Sequence, residues 1–354
     1  MSGLSNLTTF PAALSVGRDG QGHMQVAVSV KASFSWDRRG VVTPIAAAPL
    51  RQSDEVEGEG VAAALAAAAE VGPPKPRIDV LLAGEMVFRS PMTALNVGLS
   101  VGSRLRKIVQ VTGARVWQSG GGKIAPSRPR AIDRLPISWT RAFGGCDPTD
   151  STFFEPRNPS GSGVARRPHD LEGKPAPNFE DPRQPIQSSK DRPTPCGFGP
   201  VAPHWQPRVK LAGTYDDKWK NDRCPLLPAD FAPAFHNLAP ADQQLPTYVA
   251  GETVRLDGMT VDGVDTFALP ELRVPVAFRS RTDMLQTYAR VDTILIEPAE
   301  KRFSIIARAS YVPKPNVLAM RQVVVGTLTR GWKRAMATGK LYLDLRAIVP
   351  GVAG

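Results

Sequence analysis

Eighteen of the chain's 34 prolines lie between residues 145 and 250. Proline fixes φ and removes a backbone donor, so neither a long helix nor a central strand can run through such a stretch. No sustained period of 2 or 3.6 is visible there, which by itself would suggest a linker. Large apolar side chains argue otherwise. Phe153, Phe154, Phe179, Phe198, Trp205, Tyr215, Trp219, Phe231 and Phe235 are spread along it, whereas linkers and disordered segments are poor in such residues. The combination predicts an ordered, irregular segment pinned to neighbouring sheets by aromatic anchors. It argues against a helical bundle.

Strand patterns flank this segment. Met24, Val26, Val28 and Val30 alternate with polar or small residues up to Phe34 and Trp36, then Asp37–Gly40 turns the chain into Val41-Val42. That is a period-2 hairpin over 22–46. Strand signals follow at 77–88, 92–101 and 106–118, the last ending in Gly120-Gly121-Gly122. Beyond 250, Asp257-Gly258 and Asp262-Gly263 mark hairpin turns. Short strands are expected at 267–269, 272–279, 284–288 and 289–296, and an alternating one at 302–311.

Helix signals are few. Residues 53–71 predict one, with Asp54 and Glu57 resembling a capping box and an Ala-rich run behind them. A short basic helix is expected over 328–338. The reading is mainly β: two packed antiparallel sheet regions, sandwich-like, with one or two short helices and a long ordered Pro/Gly-rich irregular segment. At 354 residues the chain could hold two or three ordinary domains or one large β-rich one. One interlocked domain over 1–354 is expected, because a linker rich in anchors is not a hinge. Its parts are an N-terminal sheet region (1–140), the irregular segment (141–250) and a C-terminal meander with the basic helix (251–354).

Charge and cysteines narrow the setting. The net charge is +11, and residues 271–354 alone carry 14 Lys/Arg against 6 Asp/Glu. The basic residues are scattered, with no run longer than a pair and no aromatic-basic repeat, so nucleic-acid binding is not expected. A basic surface for an acidic protein partner remains open. Cys146, Cys196 and Cys224 form no C-x-x-C, and an odd, sparse set fits a reducing cytoplasm. No secretory signal or membrane span is apparent, so a cytoplasmic protein is expected.

Catalytic patterns are weak. His23, His169, His204 and His236 form no H-x-x-x-H, so no metal pair on a helix face is expected. Gly122-Lys123 fails the phosphate-loop pattern because Trp117 and Ile124 stand where Gly and Ser/Thr are needed. Glu180-Asp181, Asp216-Asp217 and Asp170/Glu172 sit beside Pro or Gly, where carboxylates usually fix turns. No catalytic, cofactor-binding or metal-binding residues are assigned. One alternative remains open: a hydrolase in the 141–250 segment using His204, His236, Cys224 or the acidic pairs. A broad hydrolase screen with His236→Ala as control separates it from a binding protein.

The central series of motifs carries a resemblance. Asp79–Gly84, Val111–Trp117 and Leu135–Gly145 are followed in order by Asn158–Gly163, Pro177–Pro182 and Gly197–Pro200. Trp205–Arg208, Ala212–Asp216 with Trp219, Leu227–Phe231, Ala239–Gln243 and Gly251-Glu252 complete the series. In this the chain resembles the DUF2169 family, type VI secretion system accessory proteins. Thr140, Ala232 and Ala250 depart from the Glu, Asp and Gly usual in such chains. The resemblance implies a cytoplasmic adaptor or chaperone that binds a type VI effector and helps load it onto the PAAR/VgrG spike. It brings no catalytic residues and no cofactor. A structural component of the spike is a further alternative. The candidate partner-binding residues are Trp139, Arg141, Phe198, Trp205, Arg208, Tyr215, Trp219 and Phe231, because aromatic and Arg side chains dominate binding hot spots. Sheet edges offer a second mode, in which a partner adds a strand.

Overall fold

The structure is a computed structural model that describes residues 3–19, 21–281, 283–314 and 320–338. The chain runs through β1 (Gly3–Asn6), β2 (Ala12–Arg18), β3 (Met24–Trp36), β4 (Val42–Ile45) and β5 (Ile78–Leu82). It continues with β6 (Ala94–Val101), β7 (Leu105–Thr112), β8 (Phe179–Glu180), β9 (Gln244–Leu245), β10 (Thr253–Asp257) and β11 (Val264–Ala268). The last strands are β12 (Pro275–Ser280), β13 (Met284–Tyr288), β14 (Arg290–Glu297), β15 (Arg302–Tyr311) and β16 (Met320–Val325). Two short α-helices are present among the described residues, α1 (Asp217–Asp222) and α2 (Arg330–Ala337). The fold is mainly β, as the alternation predicts.

Three sheets make the body. The largest has the order β9-β5-β14-β15-β3-β2, with β4 also paired to β3. A five-stranded sheet runs β8-β7-β6-β10-β11, and a four-stranded one runs β1-β16-β12-β13. Most pairs are antiparallel, but β1–β16 and β5–β14 are parallel. The sheets do not divide by sequence region. Each of the three takes strands from both sides of the irregular segment, so the two expected sheet regions are interleaved within common sheets.

The apolar alternation of β3 explains the layering. Ala32, Phe34 and Trp36 pack with Val97, Leu99 and Val254 of the five-stranded sheet. Val26, Val28 and Val30, on the same face, pack with Val276, Phe278 and Val323 of the four-stranded sheet. One face of the large sheet is therefore covered by two smaller sheets, and Phe10, Leu272 and Val291 touch both clusters. Trp36 stacks on Phe267 at 4.5 Å and Phe267 on Phe303 at 4.8 Å, a ring column through the first interface.

The helix expected over 53–71 is absent. Glu55–Glu57 and Ala64–Ala67 form a small antiparallel hairpin instead. Gly58 and Gly60 adopt φ of +82° and +58°, conformations open to glycine but costly in a helix. Asp54 does not cap a helix; its carboxylate accepts the Ala69 N–H across the hairpin at 2.7 Å. The alanines' helix propensity, a few tenths of a kcal/mol per residue relative to average, is a weak prior. It loses to the extended path that buries Ala64 and Leu65 and delivers Glu70 to the large sheet. The short basic helix does form, as α2, and its Trp332 is buried against Ala277 and Val324. The triple glycine closes the hairpin between Trp117–Gly120 and Lys123–Pro126.

Candidate functional site

The second face of the large sheet is polar and buried. Register places Asp79, Thr293, Ile306 and Lys31 in one row across β5, β14, β15 and β3, with Ser29 opposite Arg308. The 50–70 strap and residues 237–239 cover this face. Lys31 donates to both Glu70 carboxylate oxygens at 2.8 and 2.9 Å. Lys75 donates to Asp79 at 2.7 Å and to Thr293 Oγ1 at 2.8 Å. Arg308 pairs with Asp292 and donates to the Glu70 carbonyl at 2.7 Å. Asp292 sits on a β-bulge between Val291 and Thr293, which turns its side chain into this cluster. Lys31, Lys75 and Arg308 face Glu70, Asp79 and Asp292, and Arg51 reaches Glu70 from the strap at 3.6 Å. Burial lowers the Lys75 pKa, while Asp79 and Asp292 oppose the shift. Alternation alone sets Lys31 and Arg308 opposite the apolar faces of β3 and β15 and gives no sign that they are interior. The signal that could have found them is the set of charges inside otherwise apolar strands.

The irregular segment crosses this frame as expected, mostly in single turns. Its anchors divide the candidate residues into two groups. Trp139, Phe198 and Trp205 are 6%, 1% and 0% exposed and lie in the main core. Trp139 meets Trp205 edge-on at 6.2 Å and donates to the Gly199 carbonyl at 3.1 Å. These three hold the segment down and offer no surface to a partner.

The other group, apart from Arg141, gathers in an excursion over residues 208–236. Arg208 lies over the Phe235 ring at 5.0 Å and donates to the carbonyls of Phe235 and Val201. Phe231 packs against Phe235 and His236, with centroids 5.8 and 5.5 Å away. Farther out, Tyr215 and Trp219 meet edge-on at 4.6 Å. Tyr215 is 55% exposed, and Trp219 is half-buried with its indole N–H on the Leu226 carbonyl at 2.8 Å. Asp216 caps α1 by accepting the Trp219 N–H. Asp230 closes the excursion by accepting from Thr214 N and Oγ1 at 2.9 and 2.8 Å. Arg141 is exposed and stands elsewhere, where its carbonyl accepts the Asn178 N–H.

The base of the excursion adjoins the buried ionic cluster. Burial, helped by Arg208, Lys75 and Arg308, depresses His236 to about 4, so its ring is neutral near pH 7. Burial likewise lowers Arg208 to about 10. The residues weighed for catalysis are scattered and make local contacts. His204 Nε2 lies 3.2 Å from the Val61 carbonyl. Asp181 grips Arg183, and Glu180 pairs with Arg115. Cys224 is exposed in the excursion. Among the described residues no hydrogen bond joins a cysteine sulfur to a histidine, and no cluster of three or more His, Cys, Asp or Glu could hold a metal. No helix among them is long and apolar enough to cross a membrane.

A family model described as "Uncharacterized protein conserved in bacteria (DUF2169)" matches residues 21–308, well over half of the chain. The chain belongs to this family. Searches of curated proteins and of solved structures found no match.

Proposed function

We propose that this DUF2169 protein is a non-catalytic adaptor or chaperone that binds a type VI secretion effector and helps load it onto the PAAR/VgrG spike. The observation that carries the binding part is the Tyr215–Trp219 pair on the 208–236 excursion. It presents aromatic surface at the tip of a loop whose own hydrogen bonds and buried base hold its shape. Pre-ordered aromatic side chains lose little conformational entropy on association and are favoured as binding centres. The effector and spike assignments are supported by the resemblance of the central motifs.

Co-purification from the native cell tests the reading. The tagged chain should bring down a stoichiometric large partner, and Tyr215→Ala with Trp219→Ala should release it while the protein stays folded. Retention at about 0.5 M salt, where the screening length is only a few ångströms, would assign the attraction to apolar contact rather than to the +11 charge. A partner retained in full by the folded double variant would sink the assignment of this surface.

A further inference from the structure

β13 (Met284–Tyr288) is the outermost strand of the four-stranded sheet and pairs there with β12 alone. The Ser280 N–H bonds the Asp283 carbonyl at one end of the pair, and the Ala289 N–H bonds the Val274 carbonyl at the other. Antiparallel partners alternate between hydrogen-bonded and non-bonded positions. Leu285 and Thr287 therefore direct their backbone groups to β12, whereas Met284, Gln286 and Tyr288 direct theirs outward. The Met284 N–H is occupied by Asp283 Oδ1 at 2.7 Å. Gln286 and Tyr288 face a side on which no strand lies among the described residues.

Edge strands are usually guarded by lysine, proline, an inward charge or a bulge. The sequence Met-Leu-Gln-Thr-Tyr has no charge and no proline, and Leu285 and Tyr288 are 37% and 47% exposed. Beside the edge is a cavity of about 230 Å³ lined by Ala277, Gln286, Tyr288, Leu328 and Lys333, room for a side chain of an added strand. The rim is basic. Arg273 stacks on the Tyr288 ring at 4.2 Å, Arg281 and Arg290 bracket the strand, and Lys333 borders the cavity. None of these four forms an ion pair among the described residues. The nearby acids are Glu271 and Asp283, and Asp283 already accepts the Tyr311 hydroxyl at 3.2 Å.

We propose that β13 is a strand-addition site for one extended, acidic segment of a partner protein, apolar in alternation and flanked by Asp or Glu. Backbone hydrogen bonds to Gln286 and Tyr288 would supply affinity, and the arginine rim would select acidic flanks. Pairing between two copies of this chain is disfavoured, because it would set one basic rim against another. The proposal stands on this edge and not on the 208–236 excursion.

The test uses the full chain and two fluorescein-labelled peptides of alternating valine and threonine, one capped at both ends by glutamates and its twin by lysines. In fluorescence anisotropy at low salt, the glutamate peptide should bind at least about tenfold more tightly than the lysine one. Gln286→Pro removes an outward N–H without touching a bond to β12, and should weaken glutamate-peptide binding about fivefold or more at an unchanged thermal midpoint. Should that variant unfold, the surface pair Arg281→Glu/Arg290→Glu is read instead; it should weaken the glutamate peptide and strengthen the lysine one. Absence of glutamate-peptide binding, equal binding of both peptides, or unchanged binding in the variants overturns the proposal. So does a dimer that Gln286→Pro dissociates, since a second copy would then hold the edge.

Discussion

Replacing Asp79 by alanine should be among the most damaging single changes in the molecule. The side chain is fully buried. Oδ2 accepts from Lys75 Nζ at 2.7 Å and from the Leu238 N–H at 2.8 Å. Oδ1 accepts from Asn237 Nδ2 at 2.9 Å and from the Ala239 N–H at 3.2 Å. Removing one partner of a buried pair costs about 3–5 kcal/mol because the other charge is stranded. Each orphaned N–H that water cannot reach adds roughly 1 kcal/mol. A loss of at least about 4 kcal/mol in urea denaturation, followed by tryptophan fluorescence, is expected. Lys75→Met made together with Asp79→Ala removes the stranded cation, and should recover about 1–3 kcal/mol relative to the sum of the single changes. The pH dependence has a definite sign. Burial already lowers the Lys75 pKa, and Asp79 is the largest opposing influence. Without Asp79 the folded state binds fewer protons than the unfolded chain as pH rises toward the free-lysine value. Stability of Asp79→Ala should therefore climb with pH over that window. A loss below about 1.5 kcal/mol, or strictly additive double-variant energies, would refute the assignment of this cluster as a closed ionic lock.

Trp205→Ala should cost about 3–5 kcal/mol as a core cavity, whereas Tyr215→Ala should cost under about 1 kcal/mol; paired thermal melts decide between anchor and surface roles. Gly144→Ala should destabilise by about 2 kcal/mol or more, since φ is +144° there and a Cβ would lie 2.1 Å from the Asn158 carbonyl oxygen; a melt within a degree of wild type contradicts that packing. Asp147 accepts hydrogen bonds from the Arg166, Thr149 and Asp150 amides and the Thr149 hydroxyl, which hold its carboxyl well below the usual carboxylate range. Its stabilisation is present above the unfolded-state value of about 4 and fades as pH falls below it, so thermal midpoints should drop more steeply in acid for wild type than for Asp147→Asn. Burial pushes the Cys196 thiol up to about 11 and also raises Cys146, so iodoacetamide near neutral pH should label the exposed Cys224 first, as peptide mass mapping would show.

What the sequence made legible was periodicity in strands that border water or core in the usual way. β3 and the 302–311 strand alternate so cleanly that their apolar faces, Val26 to Trp36 and Phe303 to Ala309, could be written down in advance. The strap over 53–71 departs from its local helix signal because alanine's propensity is too weak to oppose a tertiary demand. Glu70 has to reach Lys31, 39 residues away in sequence, and local pattern carries no trace of that. The ionic face is hidden from local pattern for a related reason. Lys31, Asp79 and Arg308 occupy alternate positions that read as solvent-facing, and only the covering strap makes them interior. The candidate binding residues were chosen by type, and type does not separate Trp205, at 0% exposure, from Tyr215, at 55%.

The irregular segment shows how a proline-rich stretch can be ordered without ladders. Every buried backbone carbonyl needs a donor, and prolines supply none. Side-chain amides take their place. Asn158 Nδ2 donates to the Trp139 and Phe143 carbonyls at 2.9 Å each. Asn178 Nδ2 donates to Thr112 and Gly113 carbonyls, and Gln243 Nε2 to those of Val80 and Phe198. Asn178 and Gln243 tie the segment to β7 and β5, and Asn158 ties it to the 139–143 turn, so its path is fixed by hydrogen bonds that only a few positions provide. The 208–236 excursion is held differently. Its bonds run from Thr214 to Asp230 and from Trp219 to Leu226, within the excursion itself, while Arg208 joins it to Val201 at the base. Tyr215 and Trp219 are therefore held by contacts separate from those that order the sheets, so changing them should leave the sheets intact.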